Sequence, residues 1–183
     1  PMVPAYSASM AKSKGYDVYW MDGIAEEKSF SEWLNDLKEI NPNLIMIETK
    51  APVVKAHWEI ISILKKELPD MKTVLVGDHV TFNPKETMEN SEVDFIITGG
   101  DYDFMLTDLL DTITQNKKLV GGIWGRYPSN LNLSELIKIE KSSLGDEKFF
   151  VSGPLVQNHK LDELINFLSI KIKRLVCTKS GLI

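Results

Sequence analysis

The sequence has little cysteine, no excess of basic charge and no long apolar run. Cys177 is the single cysteine among 183 residues, which excludes an internal disulfide framework and any zinc or iron–sulfur site built from several thiolates of this chain. The formal net charge of −5 argues against nucleic acid or an acidic membrane surface as a partner, because both select a basic stripe. No apolar run approaches the roughly 20 residues that span a bilayer, and residues 1–4 do not resemble a signal peptide. We therefore expect a cytoplasmic protein that binds neither nucleic acid nor membrane.

What the sequence does contain is a regular alternation of strand-like and helix-like segments. Its apolar share of 43% and charged share of 26% are ordinary for a globular domain. Short apolar or aromatic runs predict four strands, at residues 16–21, 44–48, 73–77 and 94–98. Amphipathic helices are predicted between them, one of which begins at a capping box formed by Ser29 and Glu32. This alternation predicts an α/β, flavodoxin-like (Rossmann-like) fold of three layers, with a parallel sheet between helices.

One element of that architecture is not found at the expected place. The chain opens with a helix-like segment, whereas this fold normally opens with a strand, so we expect the first, central strand to be missing and its neighbours to have unpaired edges. Together with a proline at position 1, this predicts a fragment of a larger protein. Residues 1–127 are expected to form the domain, and residues 128–183 a linker or tail remnant in which residues 171–183 are weakly packed.

In a parallel sheet of this kind, the ligand site lies outside the carboxyl ends of the strands. Four loops are expected at that edge, and each contains a glycine, a proline or both: residues 1–4, 48–52, 77–81 and 99–102. Glycines at strand ends let the backbone approach a bulky ligand closely. Simpler interpretations remain open, because Gly77 also suits a tight turn, Asp78 and His79 a local polar pair, and Asp101 a helix N-cap. The three histidines are too scattered to predict a metal cluster.

Three segments carry a resemblance to a known family. VLVGDHVTFNPKETMENSEVDFIITGGDYDF, residues 74–104, resembles the N-terminal cobalamin-binding domain of cobalamin-dependent radical S-adenosylmethionine enzymes. INPNLIMIETKAP, residues 40–52, resembles that family's strand and following loop, and NHKLDEL, residues 158–164, resembles the start of its linker into the catalytic barrel. The resemblance implies that cobalamin binds at the carboxyl edge, and that its contacts are Thr49, Lys50, Gly77, Asp78, His79, Val80, Thr81, Gly99 and Gly100.

The sequence also departs from that family. The barrel of these enzymes carries a CxxxCxxC motif for a [4Fe–4S] cluster, so the cluster and S-adenosylmethionine are expected only in a catalytic domain outside this chain, as its partner in the intact protein. Related domains carry a cobalt-ligating histidine after the first strand, and residues 1–4 contain none, so the chain is expected to supply no metal ligand. Asp78 and Glu48 place negative charge where the phosphate-bearing tail of cobalamin would pass, which predicts weak binding that Lys50 offsets in part.

Two other classes of function stay open. An independent binding or signalling domain of the same fold, such as a receiver, needs an acidic cluster and a phosphorylatable Asp after its strands, and only Glu48 stands near that place. A hydrolase or transferase acting alone needs a G-x-S-x-G elbow, a P-loop or a metal triad, which the sequence lacks. The working hypothesis is a cobalamin-binding module without its own catalytic centre, from a radical S-adenosylmethionine enzyme for which methyl transfer is one candidate reaction. The alternative is a stand-alone flavodoxin-like domain without cobalamin.

Overall fold

The structure, a computed structural model, describes residues 2–115, 121–126, 149–151 and 174–178. The helices in these ranges are α1 Met2–Ser13, α2 Phe30–Ile40, α3 Val54–Glu67, α4 Asp78–Phe82, α5 Pro84–Asn90 and α6 Tyr102–Gln115. The strands are β1 Asp17–Met21, β2 Leu44–Glu48, β3 Lys72–Val76, β4 Phe95–Ile97, β5 Ile123–Arg126, β6 Phe149–Val151 and β7 Arg174–Thr178. Among these helices, none combines the length and the apolar character that crossing a membrane requires.

All seven strands belong to one sheet, in the order β1-β7-β2-β3-β4-β5-β6. The first five strands in that order run parallel to one another, and β5 and β6 add an antiparallel pair beside β4. The four strands predicted from the apolar runs are therefore parallel members of one sheet, as expected. The flavodoxin-like α/β class is confirmed.

The side chains of each strand alternate between two separate cores. Leu44 and Met46 of β2 pack in the core that includes residues of α1 and α6, whereas Ile45 and Ile47 pack in the core that includes residues of α2 and α3. Every residue of β2 is buried, because helices cover both faces of the sheet. The continuous apolar run LIMI had predicted this arrangement, and the three layers are confirmed.

The place expected for a missing first strand is filled by β7, between β1 and β2. The prediction that residues 171–183 are weakly packed is wrong for residues 174–178, since Leu175, Val176 and Cys177 are fully buried. A strand in this position pairs on both sides, so it satisfies backbone groups of β1 and β2 that would otherwise be exposed. Thus β6 and β7, which lie in the segment expected to be a linker, are strands of the sheet, and the rest of residues 128–183 lies outside the described residues.

The register of β7 is fixed at its first residue. The Asn43 backbone N–H donates to the Arg174 carbonyl oxygen at 2.9 Å, and the Asn43 side-chain oxygen accepts from the Arg174 N–H at 3.0 Å. The Arg174 guanidinium donates to the Ile40 carbonyl oxygen at the end of α2, at 2.8 Å. These bonds join β7 to the turn between α2 and β2.

Candidate functional site

The turns that follow β2, β3 and β4 meet at the carboxyl edge of the sheet. The Thr49 N–H donates to the Val76 carbonyl oxygen at 2.8 Å, which joins the end of β2 to the end of β3. The Thr81 hydroxyl donates to the Gly77 carbonyl oxygen at 2.9 Å and accepts from the Gly99 N–H at 3.0 Å. The structure thus brings together four of the residues that the sequence singled out: Thr49, Gly77, Thr81 and Gly99.

Gly77 on the one hand, and Gly99 and Gly100 on the other, have different surroundings at this edge. Gly77 has a φ of 112°, and a Cβ at this position would overlap the Thr49 backbone oxygen, so the close packing of two turns requires glycine here. Gly99 also has a positive φ, of 104°, yet nothing lies within 4 Å of a Cβ built on Gly99 or on Gly100. The main chain at Gly99 and Gly100 is therefore open to a ligand, whereas Gly77 is enclosed by protein.

Two of the expected contact residues face the α3 side of the sheet. Val80 is fully buried in the core that contains α3 residues. The His79 ring packs edge-on against Trp58 of α3, with 6.3 Å between ring centroids, and its Nε2 lies 3.4 Å from a Glu86 carboxylate oxygen. Asp78 and Lys50, in contrast, are exposed at the edge. The simpler interpretation paired His79 with Asp78, whereas Nε2 of His79 lies near Glu86 and is buried without a hydrogen-bond partner.

Thr49 and His57 form a buried polar pair beneath the edge. The Thr49 hydroxyl lies 2.9 Å from Nδ1 of His57 in the first turns of α3, and both residues are fully buried. Burial lowers the pKa of His57 to about 4, so the ring is neutral near pH 7. Sequence analysis did not predict the contact between His57 and Thr49. The Thr49 hydroxyl is therefore engaged inside the protein.

Glu48, at the end of β2, is a buried acid at the carboxyl edge, on the face of the sheet opposite to Thr49. The Tyr102 hydroxyl donates to Oε1 of Glu48 at 2.9 Å, and both side chains are buried. Burial raises the pKa of the Tyr102 phenol, and the hydrogen bond to Glu48 and the charges of Glu48, Asp103 and Asp78 raise it further, so Tyr102 remains a donor. The second carboxylate oxygen of Glu48, Oε2, is buried without a hydrogen-bond partner. Sequence analysis missed Tyr102, although it begins the helix after the two glycines.

Exposed apolar side chains stand next to the open glycines. Phe82 ends α4 directly after Thr81 and is 81% exposed, and Phe104 lies in the first turn of α6 and is 60% exposed. The Thr81–Gly99 hydrogen bond holds these two segments side by side. Met2, 73% exposed, begins α1, a helix that runs back along the sheet and packs with α6. Such exposed apolar groups mark a surface on which a large ligand or a second domain can pack.

Two grooves are lined by residues of β1 or of the loop that follows it. One of about 470 Å³ separates the loop after β1 from α3 and is lined by Ile24, Phe30, Ile60 and Ile63, among others. The other, of about 580 Å³, includes Tyr19, Trp20 and Arg174 in its lining. No residue expected to bind the cofactor lines either groove. Within the described residues, no group of three or more His, Cys, Asp or Glu side chains is placed to hold a metal ion.

Three proteins of known name are similar to this chain over most of its length. Over 130 residues it is 27% identical to an uncharacterized methyltransferase of Pyrococcus horikoshii, an alignment that covers 71% of the chain and 28% of the relative. It is 22% identical over 129 residues to the anaerobic magnesium-protoporphyrin IX monomethyl ester cyclase of Cereibacter sphaeroides, covering 67% of the chain and 21% of the cyclase. The cyclase of the same name from Rubrivivax gelatinosus is 28% identical over 119 residues, 64% of the chain and 21% of the cyclase.

The aligned segment thus spans only about a quarter of the length of these relatives, between 21% and 28%. No family model matches the chain, and no solved structure matches it. The chain is therefore related to a segment of longer proteins that are named as a methyltransferase and as cyclases.

Proposed function

We propose that this chain is a cobalamin-binding module of an enzyme whose radical S-adenosylmethionine domain lies outside the 183 residues. The observation that carries the proposal is the open backbone of Gly99 and Gly100, held by Thr81 at the carboxyl edge of a parallel sheet. Ligands of this fold class bind at that edge. Support also comes from the resemblance of residues 74–104 and from similarity to much longer proteins named as a methyltransferase and cyclases.

The residues of the edge fit the ring of a corrinoid. A corrin ring is broad and flat with apolar faces, so it needs a main chain without side chains beneath it and apolar groups around it. Gly99 and Gly100 offer the first, and Phe82 and Phe104 offer the second. When bound, the corrinoid would supply the methyl-group chemistry of the intact enzyme, while the residues of this chain hold and orient it.

The residues of the carboxyl edge would contribute to ligand binding in different ways. Gly99 and Gly100 would contact the ligand through the main chain, and the Thr81 hydroxyl would keep their turn against α4. Asp78 and Lys50 are exposed at the edge and within reach of a ligand's polar groups, whereas Val80 supports α4 from the core. We assign no catalytic role to these residues and, among the histidines that the structure describes, no ligand to cobalt, because His57 and His79 both pack against or within α3.

The alternative is a binding domain of the same fold that takes no cobalamin. Glu48 favours this alternative, because its buried carboxylate is bound by Tyr102 beside the expected ligand path. An acid in this position disfavours an anionic ligand and suits one that is neutral or cationic. The two hypotheses differ in one direct property, which is whether the chain binds a corrinoid at all.

Titration of hydroxocobalamin into the full chain, followed by the visible absorption of the corrin, distinguishes them. We expect saturable binding by the wild type and a loss of at least about tenfold in affinity in Gly100→Leu, because the new side chain would stand where the ring approaches the backbone. Ser13→Leu, an exposed change at the far end of α1, is the matched control and should bind as the wild type does. Saturation without any effect of Gly100→Leu would place the ligand elsewhere, and no binding by the wild type would leave the alternative.

A further inference from the structure

β1 is the outermost strand on one side of the sheet. In the described part of the chain it pairs with β7 alone, so its other side presents backbone N–H and C=O groups that no described strand pairs. Edge strands are usually protected by lysine, proline, a bulge or a very short length. β1 has five residues, DVYWM, in continuous register with β7, and the charge of Asp17 at its first position is its single protection of this kind. Such a strand is able to accept a further strand.

Two aromatic side chains are exposed on this strand, one on each face of the sheet. Tyr19 is 36% exposed and Trp20 is 37% exposed, whereas Met21 is buried. Because side chains alternate along a strand, Trp20 lies with Val18 on the face of α1 and α6, and Tyr19 lies with Met21 on the face of α2 and α3. Exposed aromatic groups on both faces favour a strand as the partner, since an added strand contacts both faces at once.

The sequence of β1 is complementary to itself when two copies run antiparallel. A twofold axis through Tyr19 pairs all five residues: Tyr19 faces Tyr19, Val18 faces Trp20, and Asp17 faces Met21 of the second copy. Aromatic–aromatic and aromatic–β-branched pairs stabilise antiparallel sheets, and like charges directly opposite destabilise them. In this register no carboxylate of β1 lies opposite another. An axis through Val18 or through Trp20 would leave two residues of each strand without an opposite strand residue.

The groove beside β1 gives room for a second copy. Its volume is about 580 Å³, and residues of β1, of α2 and of the loop between them line it together with Arg174. Arg174 lies 3.6 Å from a carboxylate oxygen of Asp17, and Lys28 lies 2.6 Å from those of both Glu26 and Asp36. The cations of the groove are thus paired within their own chain, so a second copy does not need to neutralise them.

We propose that β1 is an interface at which two copies of this chain pair antiparallel, about a twofold axis through Tyr19, so that their sheets join. The same strand serves both copies, and the interface therefore closes after two. It is small, so the dimer is reversible, with a dissociation constant on the order of 10 μM. The inference goes beyond the proposed function and does not depend on it, since no residue of β1 is among the expected cofactor contacts.

Sedimentation equilibrium of the full chain, from about 5 to about 500 μM, measures this association. We expect the wild type to shift from monomer to dimer, and Tyr19→Lys to weaken the dimer at least about tenfold, because two ammonium groups would meet on the axis. Phe82→Lys is the matched control: it changes an exposed aromatic residue at the end of α4, in a part of the fold separated from β1 by β7 and β2, and should dimerise as the wild type does. A wild type that stays monomeric, or a dimer that Tyr19→Lys leaves intact, overturns the inference.

Introduced thiols test the register of the two strands. Cys177, the single cysteine, is fully buried, so a cysteine placed on β1 is the accessible one. Residues on the axis have Cα atoms about 4.5–5.5 Å apart, which a disulfide spans, whereas the two copies of Trp20 lie diagonally at about 7–8 Å. We expect Tyr19→Cys to form a disulfide-linked dimer under mild oxidation and the equally exposed Trp20→Cys to form little. If Trp20→Cys is linked as readily as Tyr19→Cys, or if neither is linked, the proposed interface is wrong.

Discussion

The two edges of the sheet are built differently. At the amino edge, the Asp94 carboxylate accepts hydrogen bonds from Lys65 and from both the backbone N–H and the hydroxyl of Thr73. The Arg126 guanidinium there donates to three backbone oxygens around the end of α5, those of Met88, Ser91 and Val93. The side chains of Asp94 and Arg126 thus find several partners at this edge.

At the carboxyl edge, by contrast, polar groups and backbone are left available. The Oε2 atom of Glu48 and the hydroxyl of Thr178 at the end of β7 are buried without a hydrogen-bond partner, and the main chain at Gly99 and Gly100 is open. Buried polar atoms are almost always paired in folded proteins, so unpaired ones require an explanation such as a ligand. The comparison teaches that polar contacts at the amino edge hold the fold together, whereas the carboxyl edge leaves groups available for the binding that we propose.

The largest expected effect concerns β7, the strand that lies between β1 and β2. Leu175→Ala should lower the free energy of unfolding by about 3 kcal/mol, because Leu175 is fully buried in the centre of the sheet and the change leaves a cavity. Urea denaturation followed by circular dichroism measures this. A loss below about 0.5 kcal/mol, the size typical of exposed positions, would mean that β7 is not a central strand.

The next prediction tests the contrast between the two edges directly. Asp94→Asn should destabilise the fold by about 2 kcal/mol, because the amide weakens the contacts with Lys65 and the two donors of Thr73. Glu48→Gln should cost less than about 1 kcal/mol, since it removes a buried charge that only Tyr102 stabilises. The two variants make the same chemical change and are compared by the same urea denaturation. Equal losses of stability in the two variants would contradict the distinction between a structural amino edge and a binding carboxyl edge.

A third prediction separates the roles of two glycines within the carboxyl edge. Gly77→Ala should cost about 2–3 kcal/mol, because its Cβ adds an overlap with the Thr49 carbonyl to the strain of a positive φ. Gly99→Ala bears the strain alone, so its cost should be about 1 kcal/mol. Thermal unfolding of both variants gives the comparison. A Gly99 variant as unstable as the Gly77 variant would contradict the open space assigned to Gly99.

The pH dependence of stability reports on the Thr49–His57 pair. The pKa of His57 is lowered to about 4 in the fold, from 6.5 in the unfolded chain, so the unfolded state takes up the proton between these values. Stability should therefore fall as the pH drops from about 6.5 towards 4, by up to about 1.4 kcal/mol per pH unit from this group. Unfolding of the wild type and of His57→Gln at pH 7 and pH 5 isolates the contribution, because the variant lacks it. If the stability of His57→Gln fell between pH 7 and pH 5 by as much as that of the wild type, His57 would be solvated in the folded protein.

Sequence alone was sufficient for the parts of the fold that depend on local pattern. The apolar runs predicted β2 and β3 because a strand covered on both faces needs no polar residues, and the capping box at Ser29 and Glu32 is present as expected. The turns after β2 and β4 at the carboxyl edge followed from the order of the strands, but residues 2–4 and 78–81, which were expected to be loops, are helical. What pattern could not supply was any contact between distant segments.

Three contacts between distant segments were not predicted from the sequence. Residues 174–178 pair with β1 and β2 although their neighbourhood in sequence is basic and weakly periodic, because pairing depends on the strands beside them. Glu48 and Tyr102 are 54 residues apart, so their hydrogen bond had no local signal. Thr49 was expected to contact the cofactor, and only the placement of α3 shows that its hydroxyl meets His57.

The central claim, that the carboxyl edge binds a corrinoid, is tested most directly by amide chemical shifts in ¹H–¹⁵N spectra during a titration with cobinamide, the corrinoid without the nucleotide tail. The account predicts that the largest shifts arise at Thr81, Gly99 and Gly100, and that the amides of Thr73 and Asp94 at the amino edge stay in place. Shifts centred on Ile24 and Ile60 of the groove beside α3, or a spectrum that does not change at saturating cobinamide, would contradict it.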